Sequence, residues 1–362
     1  MKRYLIWTLV AIAGAGLALT SGIIPIKASS GHWRATAWVL DFAKRRSVAT
    51  HSIGISVPPL DDPSMIVKGA GHYETGCRPC HGSPAVAPPL VPRRMTPHPP
   101  DLRLQVSRWE PAELFSIVKH GIKFTGMPAW PSPGRDDEVW AVVAFLRKLP
   151  RLDAMSYTAI VFGQIAPARH VHQAGEPARA APPIASLAAA RCARCHGPDG
   201  QGRDTSAFPR LAGQYEEYLR GALRAFGQGA RHSGVMEPVA AELSPEQLDA
   251  LAEHYARMPR QAGEGAASSA AIARGAALAR SGAPAQDVPA CAECHGPADG
   301  RRNPAYPALA GQPSEYLALQ LRLFAEGKRG GSPYEHIMRG IAPRLTDEQR
   351  EDVAAFYASS AR

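Results

Sequence analysis

The sequence has no cysteine to spare. All six fall in three CxxC pairs, Cys77/Cys80, Cys192/Cys195 and Cys291/Cys294, leaving none for a separate disulfide or a lone nucleophile. Acidic residues are nearly missing from one end: residues 1–60 hold seven Lys or Arg against Asp41 alone, so +6 of the net charge of +9 sits there. Only +3 is spread over the other 302 residues. A basic excess packed around an apolar terminus suits a membrane surface, and with no nucleic-acid motif beside it no nucleic-acid partner is expected. Strand-period alternation is also lacking over any useful length, which predicts an all-α fold. What is present, 45% hydrophobic residues with 34 prolines and 33 glycines, excludes a disordered polymer. At roughly 100 to 200 residues per domain, 362 residues imply two to four folded units.

Each CxxC pair is followed at once by a histidine: His81, His196 and His295. CxxCH is the c-type haem attachment pattern, and its spacing has a mechanical reason. Residues three and four apart share one helix face, so two thiols at i and i+3 can each form a thioether to a porphyrin lying there while the histidine points at the iron. A zinc site does not demand His after each pair, and a thioredoxin-like dithiol needs a βαβ setting that is not found. Three covalently attached haem c groups are therefore expected, with Cys77, Cys80, Cys192, Cys195, Cys291 and Cys294 as attachment residues. Such attachment implies an exported, oxidising compartment.

The amino terminus agrees with export. Tyr4 to Ile26 carries no charge, and as a helix these 23 residues reach about 35 Å, enough for a hydrocarbon core of about 30 Å. The stretch outruns the usual h-region of a signal peptide, which favours a retained anchor over cleavage near Ala13-Gly14-Ala15 or Ala28-Ser29-Ser30. The expected location is the inner membrane with the haem domains in the periplasm; the alternative is a soluble periplasmic protein after cleavage. Between residues 31 and 60, Trp33, Trp38, Leu40 and Phe42 interleave with Arg34, Asp41 and Arg45, as in a helix lying near lipid headgroups or one packed on the first domain.

The first unit opens at Asp62-Pro63, an N-cap and a first-turn proline, and closes with Val139, Val142, Val143 and Leu146 at helical spacing before Pro150. An Ala/Pro-rich linker follows, around Ile165 to Pro183. The remainder is a repeat: Pro209-Arg-Leu-Ala-Gly213-Gln214, Tyr218-Leu219, Phe226, Gly229 and Arg231 recur 98 residues later as Pro307-Ala-Leu-Ala-Gly311-Gln312, Tyr316-Leu317, Phe324, Gly327 and Arg329. Ser244-Pro-Glu-Gln247 and Thr346-Asp-Glu-Gln349 both read as capping boxes before a last helix.

Each iron has a proximal histidine and needs a ligand opposite. Met127 lies in a Pro/Gly loop 46 residues after His81, Met236 lies 40 after His196 and Met338 lies 43 after His295. The regular offset selects these three as sixth ligands, giving His81/Met127, His196/Met236 and His295/Met338 as the metal pairs. His120, His232 and His336 stand nearby and offer bis-histidine ligation instead.

With CxxCH near a first helix, a later proline, a methionine loop and an aromatic-bearing closing helix, the chain resembles class I c-type cytochromes. The second and third units together look like the tandem dihaem members, and the first, with Gly126-Met-Pro-Ala-Trp130, like a single-haem domain. The resemblance implies that Pro209 and Pro307 present carbonyls to His196 and His295; among Pro88, Pro89 and Pro92 no clear counterpart serves His81. Ile184 and Ala188 stand where the first unit has Gly69 and Tyr73, a departure that bears on how the second unit's helices pack. The expected division is an anchor or signal at 1–30, a neck at 31–61, cytochrome c domain 1 at 62–150, a linker at 151–183, domain 2 at 184–260 and domain 3 at 261–362.

The expected role is membrane-tethered electron transfer between respiratory redox proteins, with no catalytic activity of its own. Its partners are a redox donor and acceptor and, through the terminus, membrane lipid. The alternative is a cytochrome subunit of a membrane dehydrogenase or terminal oxidase, since the chain resembles three-haem subunits that serve periplasmic alcohol or sugar dehydrogenases. A haem enzyme requires an open iron.

Overall fold

The computed structural model describes residues 2–23, 26–163, 183–203, 206–261, 267–296 and 303–360. The chain is 62% helical, and the described residues contain no strand, as the missing alternation predicts. Helices start where local chemistry directs. Asp62 accepts a hydrogen bond from the Ser64 amide at 2.8 Å, and both expected capping boxes form, at Ser244/Gln247 and Thr346/Gln349.

Three separate apolar cores result. In the first, the helix Asp136–Lys148 buries Val139, Val142, Val143 and Phe145 against Pro63–His72 and Pro111–His120. Where Pro63–His72 crosses it, a methyl group on Gly69 would lie 1.8 Å from the Ala141 carbonyl oxygen, so only hydrogen fits. The third core repeats that crossing with Gly275 against the Asp352 carbonyl, 1.9 Å from a would-be methyl. In the second core, Ile184–Arg191 packs Leu187 and Ala188 among Leu251, Ala252 and Tyr255 instead.

The stretch expected to be linker from residue 151 begins with a helix. Asp153 caps Ala154–Phe162 through the Ser156 amide, and Tyr157 and Val161 are buried in the first core. Tyr157 Oη donates to Glu74 Oε2 at 2.6 Å, tying this helix to the segment before Cys77. An aspartate cap before an apolar run carried the signal, but the Ala/Pro-rich residues beyond obscured it. Residues 164–182 of the expected linker, and 262–266 between the second and third units, lie outside the described residues.

At the amino end the helix Lys2–Thr20 stops six residues short of the end of the uncharged stretch, so its length is about 28 Å. It is the one helix among the described residues long and apolar enough to cross a membrane, and none of it is buried. The next helix, Arg34–His51, lays Arg45 over the Trp109 ring of the first unit at 5.8 Å, whereas Trp33 and Trp38 are each 67% exposed.

Candidate haem-binding sites

Each CxxCH closes a helix, and each proximal histidine is anchored on a proline carbonyl. His81 Nδ1 donates to Pro100 O, His196 Nδ1 to Pro209 O and His295 Nδ1 to Pro307 O, all at 2.9 Å. A carbonyl only accepts, so the proton sits on Nδ1, and at His81 and His196 the Nε2 lone pair is left for a metal. Burial holds His81 and His196 below the usual imidazole value against the opposing pull of the carbonyls, which keeps the rings in the neutral, ligating form.

Burial also pushes the Cys77 thiol up to about 12 and the Cys192 thiol up to about 11; Cys195 and Cys291 move the same way for the same reason. None of the six is in a disulfide.

The second and third sites open on one cavity of about 690 Å³. Cys192, Cys195, His196 and Met236 line it from one side and Cys291, Cys294, His295 and Met338 from the other. Its walls include Leu219, Leu251, Leu317, Phe324 and Val353, apolar surface suited to a planar macrocycle. At the junction of the two units Arg231 and Arg329 are stacked on Phe226 and Phe324 at 4.5 and 4.4 Å. Arg231 reaches Tyr218 Oη at 3.5 Å and Tyr316 Oη at 3.4 Å, and Arg329 reaches Tyr218 Oη at 3.1 Å. Neither guanidinium pairs with a carboxylate among the described residues, so two half-buried cations border the cavity. Paired thiols, an Nε2 lone pair, apolar walls and uncompensated cations fit a porphyrin bearing carboxylates.

A model for cytochrome c oxidase, cbb3-type, subunit III matches residues 64–146, and the cytochrome c model matches residues 183–256 and 272–360. The thiosulfate dehydrogenase electron acceptor of Thiomonas intermedia is 40% identical over 182 residues, covering 50% of this chain and 81% of that protein. Its namesake from Stutzerimonas stutzeri is 41% identical over 178 residues, 48% of this chain and 81% of the relative. Cytochrome c4 of Thiocapsa roseopersicina is 36% identical over 189 residues, 51% of this chain and 95% of the relative. The chain belongs to the cytochrome c family.

In this cytochrome c, Cys77, Cys80, His81 and Met127 lie outside the shared cavity, in the first unit. The acceptor for His81 is Pro100, not Pro88, Pro89 or Pro92; it lies 19 residues on, against 13 and 12 in the repeated units, because the first unit inserts the short helix Leu90–Arg93. The histidines at positions 120, 232 and 336 are exposed, and His232 points to Glu237 Oε1 at 3.6 Å. Arg231 and Arg329 both stand in the sequence repeat, but only the fold shows that they border the cavity with no carboxylate partner among the described residues.

The first and second attachment segments touch. Arg194, inside the second CxxCH, donates to Thr75 Oγ1 at 2.6 Å, two residues before Cys77. A Cβ on Gly71 would lie 3.4 Å from Cys195 Sγ.

Proposed function

We propose that this cytochrome c is a triple-haem electron carrier. In this reading the cysteine pairs 77/80, 192/195 and 291/294 would hold three haem c groups, with His81/Met127, His196/Met236 and His295/Met338 as the iron ligands, in three domains of which the first extends past residue 150 to take in the helix Ala154–Phe162. The observation that carries it is contiguity. The second and third CxxCH motifs face one cavity, and the first abuts the second through Arg194 and Thr75, so three redox centres form an unbroken series. Exposure of His120, His232 and His336 supports methionine as the sixth ligand.

Bound haem supplies a one-electron ferrous/ferric couple. The polypeptide fixes each imidazole through a proline carbonyl, excludes water with apolar walls and sets the local charge through Arg231 and Arg329. With a histidine and a methionine assigned to each haem, the iron would have no open place for a substrate, which suits transfer without bond making.

The donor is proposed to be a periplasmic dehydrogenase, on the likeness to proteins named as electron acceptors of thiosulfate dehydrogenase. The first unit's likeness to an oxidase subunit favours a terminal oxidase on the other side. The chain is placed at the inner membrane, with Lys2–Thr20 as anchor and Trp33, Trp38 and Phe42 of the neck helix at the headgroups; their exposure supports this. Intact mass after membrane extraction tests the reading. Three haem additions with the N-terminal segment retained are expected, and fewer haems or a cleaved terminus removes the corresponding part.

A further inference from the structure

Between the first and second units sits one carboxyl group that belongs to neither ligand loop and touches both. Glu138, in the first turn of the helix Asp136–Lys148, is 2% exposed. Its Oε2 accepts from Trp130 Nε1 at 3.1 Å and from the Gly234 amide at 2.7 Å, and its Oε1 accepts from Ser233 Oγ at 2.7 Å. Arg135 stands 3.1 Å away and donates to His232 O at 2.7 Å.

Trp130 lies three residues after Met127, and Gly234 lies two before Met236. Ser233 Oγ also accepts from the Met236 amide at 3.2 Å, so two hydrogen bonds connect Glu138 to the backbone of that methionine. On the first side, Trp130 N donates to Lys119 O and Ile122 N to Met127 O, which closes the Met127 loop on the end of its preceding helix. The contact has no slack: a Cβ on Gly234 would lie 2.3 Å from the Trp130 indole. Glu237 adds a second tie, accepting from Ser132 Oγ at 2.5 Å and Ser233 N at 2.6 Å. A buried carboxyl is costly unless each oxygen is paired, and a fully paired one holds a single arrangement of its partners.

We propose that Glu138 is a positioning residue that locks the Met127 and Met236 loops into one body, so that sulfur ligation at the first and second sites is held or lost together. The proposal rests on the reading of Met127 and Met236 as sixth ligands. It makes the first unit part of the second site's ligand support, whereas no hydrogen bond among the described residues joins Glu138 to the Met338 loop.

The test uses the full-length, haem-loaded chain. Ligated sulfurs are counted by the shifted methionine methyl resonances of the ferrous protein, and their hold is measured by displacement with imidazole in the ferric protein. In Glu138→Ala, displacement at the first and second sites rises about tenfold, the factor that loss of a hydrogen bond to a charged group carries, while the third site keeps its parental value. An unchanged first and second site, or an equal rise at the third, overturns the proposal. If that variant does not accumulate, Trp130→Phe removes only the indole donor at the first loop. Imidazole displacement at the second site is then expected to rise with that at the first, and a parental value there overturns the coupling. Met127→Leu and Met236→Leu separate the two levels: each removes one methyl resonance if the ligand reading holds, and failure to do so sinks that reading whatever the Glu138 variants show.

Discussion

Gln214 and Gln312 clasp the second and third units by the same two hydrogen bonds made in opposite directions. Gln214 Nε2 donates to Ala308 O at 3.0 Å while its Oε1 accepts from Ala308 N at 2.8 Å; Gln312 does the same to Arg210, at 2.7 and 3.0 Å. Both side chains are 4% exposed. A duplicated sequence has thus become a two-fold-like interface, with each copy of one glutamine reading the other copy's proline-following residue.

Removing that clasp is expected to cost stability. Gln214→Ala removes the partner of the Ala308 amide and one of two donors to its carbonyl, which keeps Arg260 Nη2 at 3.1 Å, a loss of about 1 kcal/mol, and Gln312→Ala a similar one. Denaturant midpoints of the haem-loaded protein report it. A double variant within about 0.5 kcal/mol of the parent would show that the interface is held elsewhere.

Ligand identity predicts additive spectra. Met127→Leu, Met236→Leu and Met338→Leu are each expected to remove about one third of the weak absorption near 700 nm that a sulfur–iron bond produces. Three variants with the parental band would return the assignment to the histidines.

Acid sensitivity follows from His72. Burial, with the Lys68 and Arg135 charges adding and Asp137 opposing, pushes this imidazole down to about 3, and neither ring nitrogen has a hydrogen-bond partner. The unfolded chain binds more protons than the folded one between about 3 and 6.5, so stability rises with pH there and is lost as pH falls through that window. His72→Phe removes the penalty while keeping a ring against Trp130. Between pH 7 and 4.5 it should lose roughly 2 kcal/mol less than the parent, and an identical pH slope in both would exclude His72 as the cause.

The two uncompensated arginines predict a redox effect. Burial and the neighbouring Arg231 charge already hold the Arg329 guanidinium below its usual value. Taking away one cation favours the more positive ferric state elsewhere, so Arg231→Gln and Arg329→Gln are expected to lower the second and third midpoint potentials by tens of millivolts, about 59 mV for each tenfold change in the one-electron equilibrium. Potentiometric titration decides it, with the first site as internal control.

Much of the site was legible because its chemistry is local. Thiols at i and i+3 with an imidazole at i+4 need only one turn of helix, and capping boxes at Ser244 and Thr346 need only four residues. The proline acceptors of His196 and His295 were reachable through the resemblance to class I c-type cytochromes, which the two copies of the repeat both carry. Pro100 was not, since no second copy marked it out from the six other prolines between it and His81. The helix Ala154–Phe162 was passed over for a related reason: its partner, Glu74, is 83 residues away from Tyr157.

The sequence by itself determined the cytochrome c family, the three CxxCH motifs and the helical class, because motif spacing and capping act within a few residues. Only the tertiary structure decided which CxxCH motifs share a cavity, that Arg231 and Arg329 have no carboxylate partner among the described residues, and that Glu138 sits between the Met127 and Met236 loops. Glu138 reads along the chain as an ordinary acid in the first turn of a helix, favoured there by the dipole. Its role arises from Ser233 and Gly234, 95 and 96 residues away, and burial and charge compensation exist only once the chain is folded.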